Sequence, residues 1–199
     1  MLDIIYQLGV RALGLTWNQR NALADGVGEE GTQSRLTNFG QEVVLRMNEL
    51  GMLIDVSHLN EPGFWHVLDL SRDPIVATHS CAKALCNHPR NLTDQQLRAL
   101  AKHKGVVGVN FYPRFLRETG PATREDVVRH ICHIAEVAGV ETVGLGSDFD
   151  GITEVPKGLE HVGDYSYLID DLTKVGFSTK EVEQISGRNF MRLLSNVLK

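Results

Sequence analysis

The sequence has no long apolar run, few cysteines and no concentration of positive charge, and each shortage closes off a class of function. No stretch approaches the roughly 20 apolar residues of a membrane-spanning helix. The start, Met1-Leu-Asp-Ile-Ile-Tyr-Gln-Leu8, lacks the basic region and small-residue cleavage site of a secretory leader. Three cysteines, Cys81, Cys86 and Cys132, make no close Cys-x-x-Cys pair. An odd number of unpaired thiols fits a reducing compartment, so a cytoplasmic location is expected. A formal charge of −5 over 199 residues, with no basic stripe, argues against nucleic acid or an anionic membrane as partner. No Gly-x-Gly-x-x-Gly, no phosphate loop ending in Lys-Ser/Thr and no Gly-x-Ser-x-Gly occurs. Dinucleotide binding, P-loop chemistry and a serine-hydrolase elbow drop out together.

What is present is an alternation of short apolar runs with amphipathic segments. Residues 10–16, 52–58, 75–80, 105–111 and 142–148 are rich in Val, Ile and Leu and bounded by Gly, Pro or polar residues, as strands buried on both faces should be. Helices are expected over 38–50, stopped by Gly51, and over 61–70, with Pro62 in the first turn. Thr93-Asp-Gln-Gln96 and Ser178-Thr-Lys-Glu181 have capping-box spacing, and 123–138 carries an apolar face. The helix opened by Ser178 is expected to break near Gly187. Two long loops, 18–37 and 112–122, follow strand ends, where substrate-binding groups collect. Residues 1–199 read as one α/β domain with a parallel sheet, either doubly wound or a (β/α)8 barrel.

Three of these runs end in a group able to bind a metal or move a proton. His58 and His79 close successive strands, and parallel neighbours about 4.8 Å apart can offer two imidazoles to one ion. Asp148, in Gly144-Leu-Gly-Ser-Asp-Phe-Asp-Gly151, comes off the last run between glycines and suits a general base. Asp150 competes with it but reads as bracing the turn. Arg90, in Asn87-His-Pro-Arg-Asn91, follows the second histidine and could clamp a carboxylate with its planar fork. Asp55 lies inside a strand pattern and is not assigned to the metal. His66, His103, His130 and His133 fall in helix patterns and His161 in a loop. His130 and His133, three apart, read as a solvated helix face.

Leu53-Ile-Asp-Val-Ser-His58, Ala77-Thr-His-Ser80, His88-Pro-Arg-Asn91, Val109-Asn-Phe-Tyr112 and Gly146-Ser-Asp-Phe-Asp-Gly151 together resemble the renal (membrane) dipeptidase family. These are zinc metallo-dipeptidases of the amidohydrolase superfamily, peptidase family M19. Gly187-Arg-Asn-Phe-Met-Arg-Leu193 resembles that family's C-terminal helix. The resemblance implies a distorted (β/α)8 TIM-type barrel with two zinc ions, acting on a dipeptide, with a homodimer as an open arrangement. It makes His58 and His79 the two histidines on one zinc, Asp148 the catalytic acid/base and Arg90 the holder of the substrate carboxylate. The family's His-x-Asp pair and bridging Glu have no counterpart here, so the five strands correspond to strands four to eight and at most one partial zinc site. Trp17, in Leu15-Thr-Trp-Asn18, stands where several members carry a histidine that binds the reaction intermediate. Three readings follow: a zinc dipeptidase, an inactive fragment or partial chain needing an N-terminal partner, and another amidohydrolase-type activity on the same scaffold.

Overall fold

The computed structural model describes residues 1–29 and 31–199. They fall into two compact units, Met1–Ala77 with Arg192–Lys199, and Thr78–Met191. The first holds α1 (Leu2–Gln7), β1 (Ala12–Gly14), α2 (Asn38–Leu50), β2 (Leu53–Asp55), α3 (Glu61–Leu70) and the opening residues of β3 (Val76–Ser80). β1 runs parallel to β2, with Ala12 opposite Leu53 and Gly14 opposite Asp55, and Asp55 is in turn opposite Val76. α2 and α3 occupy the expected spans because their ends are chemically marked. The Thr37 hydroxyl accepts the Gly40 N–H and the Asn60 carboxamide oxygen accepts the Gly63 N–H, each at 3.0 Å, satisfying amides that have no partner within the helix. Val44 and Met47, three apart on α2, are fully buried.

The second unit carries the rest of β3, then α4 (Asp94–Lys102), β4 (Val106–Val109), α5 (Pro113–Leu116), α6 (Arg124–Ala138), β5 (Val143–Leu145), α7 (Tyr165–Lys174), α8 (Thr179–Glu183) and the start of α9 (Asn189–Val197). β4 and β5 pair in parallel, Val107 opposite Val143 and Val109 opposite Leu145. All four residues of β4 are buried, as a strand covered on both faces requires. The strands hydrogen-bond in chain order, β1-β2-β3-β4-β5, the signature of repeated right-handed strand–helix units. The expected break at Gly187 is an irregular turn, Gln184–Arg188, between α8 and α9.

Several expectations need correction. The strand ladders are shorter than the apolar runs: β2 ends at Asp55 and β5 at Leu145, so His58 and Asp148 each lie three residues beyond their strand, whereas His79 sits within β3. α1 and α5 were not expected. α1 buries none of its residues, so no apolar stripe announces it, and α5 is a single turn opened by Pro113. α7 does carry a signal, Leu168 and Leu172 four apart and fully buried.

The helix face of His130 is the plainest reversal. His130 is fully buried: its Nδ1 accepts the Ala82 N–H at 3.1 Å and its Nε2 donates to the Leu116 carbonyl at 3.0 Å. His133, by contrast, bonds Asp94 at 2.8 Å. Both His130 nitrogens are thus committed in the neutral form, and burial lowers its pKa to about 4 from 6.5. Between those values the unfolded chain binds the proton that the folded chain refuses. The stabilisation is complete above pH 6.5 and is lost as pH falls toward 4, on the order of 3 kcal/mol in all. The thermal stability of the parent should therefore fall from pH 7 to pH 5 with a slope that His130→Asn flattens; equal slopes in the two proteins would refute this assignment.

Candidate active site

In the second unit, three chain segments meet around one carbonyl. A Cβ placed on Gly108 would lie 2.2 Å from the Thr78 oxygen, and one on Gly146 would lie 2.1 Å from the same atom. No side chain fits at either position, so backbone approaches backbone directly. Each segment then presents a polar residue one or two positions on: His79, Asn110 and Asp148.

Asp148 has φ +72°, in the left-handed region rarely used by residues other than glycine. Its Oδ2 accepts a hydrogen bond from Asn110 Nδ2 at 3.0 Å, and its carbonyl accepts the Gly151 N–H at 2.9 Å. A Cβ on Gly151 would fall 2.2 Å from Asp148 Oδ1, so a larger residue there would push the carboxylate aside. Asp150 is exposed, in keeping with a turn residue. Beside them, Phe111 stands edge-on to Phe149 and Tyr165 at centroid distances of 5.7 and 5.8 Å. Burial raises the Tyr165 phenol pKa, against a hydrogen bond with Ser147 that lowers it.

His79 Nδ1 lies 2.7 Å from the Thr78 hydroxyl. Arg90, expected at a substrate carboxylate, is 4% exposed and donates from Nη2 to the His79 carbonyl at 3.2 Å. Its guanidinium carbon stands 5.4 Å from the Phe115 ring centroid, and its backbone N–H bonds His88 Nδ1 at 3.1 Å. Burial, with Arg90 and Arg114 adding to it, lowers the His88 pKa. Arg90 and His79 are therefore joined, while Asp148 is joined to Asn110.

In the first unit, half-buried His58 bonds Asn18 Oδ1 through Nδ1 at 2.9 Å, and the Trp17 ring lies 6.3 Å from it by centroids. An amide oxygen on Nδ1 fixes the tautomer with the lone pair on Nε2. The long loop that carries Asn18 is pinned by buried Asp25. The Arg20 guanidinium holds the Asp25 carboxyl below the usual range, Thr32 donates to it at 2.8 Å, and the Asp25 carbonyl accepts the Asn60 N–H at 3.1 Å.

Asn18, Thr78 and Asn110, the partners of His58, His79 and Asp148, are not picked out by the sequence pattern. Asn110 carried a usable signal: a polar residue inside the apolar run 105–111 must find partners if buried. Among the described residues, no three His, Cys, Asp or Glu side chains gather as a cage for a cation. No helix among them is long and apolar enough to cross a membrane.

Residues 1–199 match the family model of membrane dipeptidase, peptidase family M19. The chain belongs to that family. It is 43% identical to an uncharacterised protein from the pqqA 5′ region of Klebsiella pneumoniae, over 98% of this chain and 75% of that protein. An uncharacterised dipeptidase of Schizosaccharomyces pombe is 44% identical, over 97% of this chain but 48% of its own length. Among solved structures, a metallopeptidase from Rhodobacter sphaeroides liganded with a phosphinate mimic of the dipeptide L-Ala-D-Ala superimposes with a TM-score of 0.92 at 36% identity, over 98% of this chain and 58% of that one. The chain thus spans about half of the yeast relative and three fifths of the bacterial peptidase. A five-stranded parallel sheet with that coverage agrees with part of an α/β barrel.

The Gly151 contact gives this M19 chain a direct test. If Asp148 is the reacting group of a dipeptidase, Gly151→Ala should cut turnover by roughly one to two orders of magnitude, the cost of moving such a group by about 1 Å. The melting temperature should move by less than about 4 °C. Full turnover in the variant would show that Oδ1 needs no such clearance.

Proposed function

We propose that this chain serves a metal-dependent dipeptidase, with Asp148 as acid/base, Arg90 binding the substrate carboxylate, and His58 and His79 ligating zinc. The observation that carries the reading is the aimed carboxylate of Asp148, held at left-handed φ beside Asn110. The donor set fits a divalent metal: each histidine has Nδ1 engaged by a neutral oxygen, which suits Nε2 ligation. When bound, such an ion supplies Lewis-acid polarisation and makes water a stronger acid. Asp148 takes a proton from the attacking water as the C–O bond forms. It returns that proton to the amide nitrogen as the C–N bond breaks, releasing two amino acids. Arg90 offers two parallel N–H groups to the C-terminal carboxylate, fixing the scissile bond relative to Asp148.

The mimic bound to the Rhodobacter enzyme makes L-Ala-D-Ala the first substrate to try, with L-Ala-L-Ala beside it. Zinc-loaded protein should hydrolyse at least one of them. His58→Ala should lower bound metal, measured by mass spectrometry, and Arg90→Lys should raise KM about tenfold or more while sparing kcat. Metal retained in full by His58→Ala, or turnover retained by Asp148→Asn, would sink the respective assignment.

A second reading, that activity requires a further polypeptide supplying the preceding strands, has one observation in its favour. Ala12 and Gly14 of β1 are exposed, and a groove of about 630 Å³ lined by Leu2, Ile5, Leu13, Leu23, Phe39 and Val43 opens in the same unit. Hydrolysis appearing only after addition of the segment that precedes this region in longer relatives would establish it.

A further inference from the structure

We infer that Asn110 is the positioning residue for the Asp148 carboxylate and that it assigns the two carboxylate oxygens different tasks; this rests on Asp148 being the acid/base. Asn110 is fully buried, one residue past the end of β4. Its carboxamide has two ends under different obligations. Oδ1 accepts the Tyr112 N–H at 2.6 Å, and Nδ2 donates to Asp148 Oδ2 at 3.0 Å. These partners decide the orientation of the amide, since a backbone N–H only donates and an ionised carboxylate only accepts. The residue is also held through its main chain, whose carbonyl accepts the Cys81 thiol at 3.2 Å.

Asp148 needs such a hold. Its backbone conformation is uncommon for a residue with a Cβ and persists where the surroundings over-determine it. The Asn110 donor occupies Oδ2, so Oδ1 becomes the oxygen that handles the proton. That is the oxygen facing Gly151, whose missing Cβ leaves it room. A buried neutral donor steadies the carboxylate without adding a charge to the site.

The alternative is that Asn110 merely fastens the turn at Tyr112. Asn110→Asp separates the two, because it keeps the shape and the Oδ1 acceptor but replaces the donor with an acceptor facing Asp148. Positioning predicts that Asn110→Asp and Asn110→Ala both lower kcat, by about 10- to 100-fold, with KM within about threefold and metal content near the parent, at temperatures where both variants remain folded. Parent-like kcat in Asn110→Asp would overturn the inference.

A measurement independent of turnover guards against an inactive preparation. In ¹⁵N-labelled protein, the side-chain NH2 signals missing from Asn110→Asp identify Asn110, and Asp148→Ala should speed their exchange with solvent at least several-fold. Unchanged exchange would overturn the proposal. Turnover retained by Asp148→Asn would instead remove the acid/base reading, with the exchange result still judging the Asn110–Asp148 bond on its own.

Discussion

The second unit depends on the absence of two side chains. Gly108 and Gly146 both abut the Thr78 carbonyl at distances no Cβ could tolerate. The approach fixes where the chain goes next. His79 follows Thr78 directly, Asn110 lies two residues beyond Gly108, and Asp148 two beyond Gly146. Three polar groups are therefore presented from a backbone framework whose spacing is set by main-chain contact. Main-chain contact is stiffer than contact between rotamer-rich side chains, which suits a site whose chemistry tolerates little displacement.

Around that framework, burial and hydrogen bonding settle protonation. His130 shows the principle away from the chemistry: two main-chain partners leave room for one proton only, and burial makes the neutral ring the stable one. His88 is pushed the same way by burial and two neighbouring arginines. Arg90 sits in the same neighbourhood, against an aromatic face and a carbonyl. Lowering the pKa of the histidine near a buried guanidinium avoids a second positive charge there.

The elements that could be read from the sequence are those with local chemical punctuation. Thr37, Asn60, Thr93 and Ser178 each cap the helix that follows, and those helix starts sit where the residues place them. The strand ends could not be read so closely. An apolar run continues past the ladder wherever the following loop is itself buried, as Val56 and Ser57 are after β2, so hydrophobicity cannot say where pairing stops. The site shows the same division. His58, His79, Arg90 and Asp148 stand out by residue type in or after apolar runs, but their partners do not. Asn18 is 40 residues from His58, and Asn110 is 38 from Asp148. Pairings at that separation are decided by the sheet. His130 was misjudged for a related reason: a polar ring on a helix looks solvated until two backbone groups from elsewhere in the chain claim both nitrogens.

The partners share a property that sets them apart from the protein's other polar clusters. Asn18, Thr78 and Asn110 are all neutral, whereas Asp25, Asp94 and Asp171 engage charged or chargeable groups: Arg20, His133, and Arg124 with Lys174. If Asp148 is the acid/base proposed above, a cation placed on it would hold its carboxylate ionised and resist the return of the proton to the leaving amine. The Asn110 carboxamide orients the Asp148 carboxylate without adding a charge beside it. The ion pairs of Asp25 and Asp171 fasten loops and helices, where no proton has to move; the neutral donor on Asp148 suits the proton transfer proposed for it.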